Sequence, residues 1–124
     1  MKNQIRYWVP TIVWAVVIFG FSSRQTITTS QVYWQDFVIK KAAHLFEYGL
    51  LGILLYRSLK HSFKLDKLAV ITLTLSLVAL YAITDEFHQS FTPGREPRLR
   101  DVMIDTLGAV AALWLVDRQR IITL

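Results

Sequence analysis

Residues 68–89 read LAVITLTLSLVALYAITDEFHQ, and this stretch decides the fold. From Leu68 to Ile83 it carries no charged side chain, and it lacks the polar stripe that the solvent-facing side of a soluble helix needs. Charge then returns abruptly with Asp85, Glu86 and His88. The pattern predicts a helix that lies among apolar groups along most of its length and ends in a polar environment.

Three more hydrophobic segments surround this one, at residues 7–21, 42–56 and 102–116. Each is shorter than the roughly 20 residues that cross a bilayer, so flanking residues must complete the spans. The chain is 53% hydrophobic, above the soluble average of about 45–50%. We predict an all-α integral membrane protein, one domain over 1–124, with four transmembrane helices in a compact bundle at about 5–23, 38–58, 66–90 and 97–118. A soluble four-helix bundle is the alternative.

The first segment also resembles the start of a secretory signal peptide, MKNQIRYW followed by an apolar run. No cleavage site with small residues follows it, so we predict a retained helix. Pro10 is expected in the first turn of that helix, where a missing N–H is tolerated.

Basic residues predict the orientation. The side that would hold both termini and the middle loop carries Lys2, Arg6, Arg57, Lys60, Lys64, Lys67, Arg118 and Arg120. The other side carries Arg24, Lys40, Lys41, Arg95, Arg98 and Arg100, several of them beside acidic residues. The positive-inside rule favours the plain basic middle loop as cytoplasmic. We therefore predict a multi-pass protein of the inner (cytoplasmic) membrane with both termini in the cytoplasm.

Polar side chains, nearly all of them ionisable, recur at helical spacing near the predicted outer ends of three helices. They are Lys40, Lys41, His44, Glu47 and Tyr48 on the second helix, Asp85, Glu86, His88 and Gln89 on the third, and Arg98, Asp101 and Asp105 on the fourth. Charges facing lipid are costly, and pairing them offsets part of that cost. The sequence predicts one outward-facing polar pocket, roofed by the loop at 92–100.

The predicted pocket holds two kinds of candidate residue. Asp85, Glu86, His88, His44 and Glu47 could act as catalytic acids and bases, because grouped carboxylates and imidazoles can hold and transfer a proton. Tyr48, Gln89, Asp101 and Asp105 are predicted to support them. The alternative is that these side chains form a structural hydrogen-bond network.

The basic candidates are Lys40, Lys41, Arg95, Arg98 and Arg100. They could clamp a phosphate or carboxylate, since guanidinium groups match those oxyanions in bidentate geometry. The alternative is anchoring to ordinary lipid headgroups or internal pairing. Membrane lipids and lipid-linked envelope intermediates are the expected partners. Nucleic acid is not, because the basic residues flank apolar segments instead of lining a soluble face.

Metal and cofactor signals are weak. The chain has no cysteine, so a thiolate metal site is impossible. Its histidines and carboxylates suit a divalent cation, yet no compact metal motif is present and basic neighbours compete for the carboxylates. We predict no metal and no cofactor, and the oligomeric state stays open.

Three pieces of sequence carry a resemblance: FSS at 21–23, KKAAHLFEYGLLG at 40–52 and DEFHQSFTPGREPRLRDVMIDTLGA at 85–109. In this order they resemble the VanZ-like family of small bacterial membrane proteins, named after a protein linked to antibiotic (teicoplanin) resistance. The loop differs from the usual pattern, with Glu96 and Pro97 where Ser or Thr is common. The resemblance implies a four-helix membrane domain, and the resistance phenotype belongs to the relative that gave the family its name.

Two functional hypotheses remain. The protein could bind or modify an anionic lipid or envelope glycan intermediate at the outer leaflet, with consequences for teicoplanin susceptibility. It could instead be a non-enzymatic scaffold or partner-binding module whose charged residues form a structural network. A channel is disfavoured, because the ionisable faces are confined to one end of the helices.

Overall fold

The computed structural model describes residues 2–22, 33–91 and 99–118. These ranges form four helices and contain no strand: α1 (Lys2–Ser22), α2 (Tyr33–Ser62), α3 (Lys67–Gln89) and α4 (Leu99–Arg118). The prediction of an all-α protein with four helices is confirmed.

The helix bounds differ most from the predicted ones in α2. It was predicted over 38–58 and extends over Tyr33–Ser62, because no proline interrupts the polar residues that flank its apolar centre. At the start of the chain α1 begins at Lys2, so Pro10 lies inside the helix. Its predicted place in the first turn is therefore wrong.

Helix α2 is the centre of the bundle and packs against each of the other three, most extensively against α4. It runs antiparallel to α1, with Trp8 bonded to Ser62 near one end and Trp14 bonded to the Glu47 carbonyl further along. It runs parallel to α4, since Lys41 pairs with Asp101 and Gly49 lies beside Ala112. The chain thus alternates in direction from helix to helix.

The outer surface of the bundle is strongly apolar. Helix α1 over Gln4–Phe21 and α3 over Lys67–His88 have mean hydropathies of 1.3 and 1.9, yet only 11% and 28% of these residues are buried. A core helix of a soluble protein would be mostly buried. Large exposed apolar faces mark contact with lipid or another apolar partner. Both helices are long and apolar enough to cross a membrane, whereas spanning by α2 and α4 remains a prediction.

Candidate functional site

Small residues bring α2 and α4 into close contact beside the candidate site. A Cβ atom built on Gly108 would lie 2.8 Å from the carbonyl oxygen of Leu45, and one on Gly52 would lie 3.0 Å from the Cβ of Ala109. Such close approach is the usual role of small residues between membrane helices. It fixes the register in which the polar side chains of α2 meet those of α4.

The first polar contact between these helices joins Lys41 to Asp101. The Lys41 ammonium donates a hydrogen bond to Oδ1 of Asp101, and their side chains are 20% and 17% exposed. Asp101 also lies in the first turn of α4, where a negative charge is favoured by the helix dipole. This partly exposed ion pair lies at the end of the site nearest the predicted outer face. Together with the His44–Asp105 and Tyr48–Asp85 contacts described next, it forms what is called the polar cluster below.

One turn further along both helices, His44 meets Asp105. Nδ1 of His44 lies 3.2 Å from Oδ1 of Asp105, a residue that is only 1% exposed. When Nδ1 carries the proton it donates to Asp105, which leaves Nε2 of the imidazole as an acceptor. The other oxygen of Asp105, Oδ2, is buried and has no hydrogen-bond partner among the residues described.

The deepest level links α2 to α3 through two buried side chains. The hydroxyl of Tyr48, a fully buried residue, donates a 2.9 Å hydrogen bond to Oδ2 of Asp85, which is 2% exposed. Tyr81, one turn before Asp85, donates from its hydroxyl to the carbonyl of Ala15 and so ties α3 to α1. All four helices are joined by polar contacts in this half of the bundle.

Three further predicted acid–base residues lie on α2 and α3. Glu47 is half-buried and interacts electrostatically with His44, Asp85 and Asp105. Glu86 is buried at 5% exposure on α3. The ring of His88 instead stacks on Phe19 of α1 at 4.3 Å. Of the predicted acid–base residues, Glu47, His44 and Asp85 converge, while His88 faces α1.

The basic candidates are only partly covered by the structure. Lys40 is half-buried and Arg100 is exposed, next in sequence to the paired Lys41 and Asp101. Arg95, Arg98 and the loop at 92–98 lie outside the described residues, as does the side chain of Gln89. Within the described ranges, no group of three or more His, Asp or Glu side chains is arranged to hold a metal ion.

A second polar layer, at the other end of the bundle, was not predicted. The hydroxyls of Thr11 and Ser58 lie 2.7 Å apart and both are buried. Ser58 also donates to the carbonyl of Tyr7, and Nε1 of Trp8 donates to Ser62. Serines and threonines are uncharged and common at helix interfaces, so their spacing alone gives little signal.

Comparison with known proteins gives one match. The family model described as VanZ/LLP1 matches residues 5–121, a range that includes the three pieces of sequence that carried the resemblance. No curated protein and no solved structure matches the chain. Because the matched range contains nearly the whole bundle and every residue of the polar cluster, the chain belongs to the VanZ/LLP1 family.

Proposed function

We propose that this protein resides in the cytoplasmic membrane and binds an anionic lipid headgroup, or the anionic part of a lipid-linked envelope glycan intermediate, at the outer leaflet. The observation that carries the proposal is the Lys41–Asp101 pair between α2 and α4. Lys40 and Arg100 directly precede its two members in sequence. Among the described residues, the two short segments 40–41 and 100–101 thus carry three cationic side chains and one carboxylate, a composition that supports binding of an anion.

The position of this level suits a headgroup. Lys41 and Asp101 keep a partial exposure of 20% and 17%, so an anion from the surface can reach them. Apolar side chains nearby stay exposed, among them Val38 at 53% and Met103 at 58%. A lipid could place its phosphate at the lysines and its acyl chains along these side chains.

If the protein chemically modifies the bound headgroup, His44 would act as the general base. Asp105 holds the imidazole one turn below the lysines, and the Nε2 atom is then the acceptor that could take a proton from an attacking water or alcohol. A hydroxyl oxygen that loses its proton to Nε2 would form the new bond to phosphorus, and the departing alkoxide would recover the proton from the imidazolium. His44 is thus the residue by which binding and catalysis can be distinguished.

A scaffold is the second candidate, and a specific observation favours it. Each of the three polar pairs of the candidate site, Lys41–Asp101, His44–Asp105 and Tyr48–Asp85, joins two different helices. Such a network could serve only to fix the packing of α2 against α3 and α4. In that case the exposed surface of the helix bundle, and not the polar cluster, would act on the cell envelope and on teicoplanin susceptibility.

Native mass spectrometry of protein purified in mild detergent tests the proposal. We expect the wild type to retain a phosphate-bearing lipid and the Lys41→Gln variant to lose at least about tenfold in affinity, as expected for removal of a charged hydrogen bond. Lys64→Gln removes the same charge from the exposed loop between α2 and α3 and serves as the matched control.

The outcomes separate the candidates. If Lys41→Gln loses the lipid and Lys64→Gln keeps it, the proposed site is supported. A changed composition of the bound headgroups in His44→Gln would show in addition that the protein modifies the headgroup. If the wild type carries no such lipid, or all variants carry it equally, the scaffold is favoured. Teicoplanin susceptibility of cells expressing each variant then shows whether the binding matters for resistance.

A further inference from the structure

Three basic side chains lie around the aromatic ring of Tyr7 on α1, at the end of the bundle opposite the candidate site. The guanidinium carbon of Arg57 lies 4.8 Å from the ring centre and that of Arg6 lies 5.9 Å away. The imidazole of His61 stacks on the same ring at 4.2 Å, with an angle of 4° between the planes. Two helices thus place two arginines and a histidine around one aromatic ring.

Partly buried hydrogen bonds hold this arrangement in place. The Tyr7 carbonyl accepts from Ser58 at 2.8 Å and from Thr11 at 3.2 Å. Ser58 is fully buried and directly follows Arg57, while the Trp8 indole is bonded to Ser62 at 2.7 Å. The positions of the Tyr7 ring and of Arg57 are therefore set by α1–α2 packing, as a preorganised binding site requires.

The Arg57 guanidinium contacts the ring of Tyr7 but no carboxylate among the described residues. Within the described residues neither Arg57 nor Arg6 forms an ion pair or hydrogen bond through its guanidinium, and Nε of Arg57 is buried. Both guanidinium groups lie over the ring of Tyr7, which attracts the cations without giving their N–H groups an oxygen acceptor. The two guanidinium groups lie 4.8 Å and 5.9 Å from the centre of the same ring, and their unused donors are suited to an oxyanion with several acceptor oxygens.

We propose that Arg57 and Arg6, arranged around Tyr7 and His61, form a binding site for a phosphate monoester or diester at this end of the bundle. The favoured source is the headgroup of a phospholipid in the leaflet opposite the first site. Exposed apolar side chains adjoin the cluster on α1, Ile5 at 60% and Val9 at 50%, and could contact the acyl chains. Free phosphate shares the chemistry but would not use them.

Affinity measurements on the full chain in mild detergent test this site. Short-chain phosphatidic acid, short-chain phosphatidylcholine and inorganic phosphate are titrated separately, and bound molecules are counted by native mass spectrometry. We expect Arg57→Gln to bind phosphatidic acid about tenfold or more weakly than the wild type, because a guanidinium–phosphate contact is lost. Lys64→Gln, with the same charge change in the adjoining loop, is expected to stay within about twofold.

Arg57→Lys keeps the charge and is the variant to use if Arg57→Gln does not fold. It is expected to bind more weakly than the wild type, since lysine cannot form the bidentate contact. The proposal would be overturned if Arg57→Gln or Arg57→Lys bound phosphatidic acid as tightly as the wild type. It would also be overturned if Lys64→Gln lost as much affinity as Arg57→Gln. Binding of phosphatidic acid but not of inorganic phosphate supports a site for a lipid headgroup. Binding of both compounds supports a site for phosphate itself.

The two sites can be distinguished by stoichiometry. Arg57→Gln should remove one bound phospholipid and leave the one that depends on Lys41. If Arg57→Gln loses one phospholipid and keeps the Lys41-dependent one, the second site is supported and the proposed function is unaffected. If Arg57→Gln keeps both phospholipids, the second site is contradicted and the proposed function is again unaffected.

Discussion

Replacing Gly108 by alanine is expected to lower the free energy of unfolding by about 1–3 kcal/mol, the cost of forcing extra volume into a packed interface. The new Cβ atom would meet the Leu45 carbonyl oxygen at 2.8 Å and the Leu45 Cα at 3.1 Å. Both are backbone atoms, so the clash can be relieved only by moving α2 away from α4. Unfolding followed by circular dichroism in mixed micelles measures the effect.

Gly20→Ala is the matched control. Gly20 also lies within a helix, but its new Cβ would have no neighbour within 4 Å. Alanine there should leave stability unchanged or raise it by about 0.5–1 kcal/mol, because glycine is the poorer helix former. Equal stability of Gly108→Ala and the wild type would show that α2 and α4 are less closely packed than the structure has them.

Replacing Tyr48 by phenylalanine is the second change with a large expected effect. The substitution keeps the buried ring and removes only the hydroxyl that donates to Asp85 at 2.9 Å. Removing one partner of a buried hydrogen bond costs about 1–3 kcal/mol, so a loss of that order in unfolding free energy is expected. Equilibrium unfolding of the variant, measured alongside Asp85→Asn and the double substitution, gives the coupling between the two residues.

Tyr56→Phe tests whether the loss is specific. Tyr56 is buried at 7% exposure, yet its hydroxyl forms no hydrogen bond with the described residues. Its removal should change stability by no more than about 0.5 kcal/mol. A Tyr48→Phe variant as stable as Tyr56→Phe would mean that the Tyr48–Asp85 contact does not join α2 to α3.

Helical spacing predicted which residues lie on one face, and no more. It placed His44 and Glu47 together on α2, and Asp101 with Asp105 on α4, and the structure brings these faces into contact. Spacing within one helix cannot indicate the partner helix. The pairing of His44 with Asp105 follows from the parallel packing of α2 on α4, which depends on small residues such as Gly108.

The opposite end of the bundle shows where sequence patterns fail. Arg57 is predicted at the end of the second helix and counted among the basic residues of the cytoplasmic side, but no pattern indicates that it lies over the ring of Tyr7. The apolar core of the second segment ends before Arg57, whereas the helix continues to Ser62. A hydropathy pattern locates the apolar centre of a helix and does not report its polar continuation.

Thiol labelling tests the central claim, a membrane bundle with its polar cluster at the outer face, most directly. The chain contains no cysteine, so single substitutions report without background. Ser90→Cys lies at the exposed end of α3 near the cluster, and Lys64→Cys lies in the exposed loop at the other end. A membrane-impermeant maleimide applied to intact cells should label Ser90→Cys at once and Lys64→Cys only after permeabilisation. The reverse order, or equal labelling of both, would contradict the account.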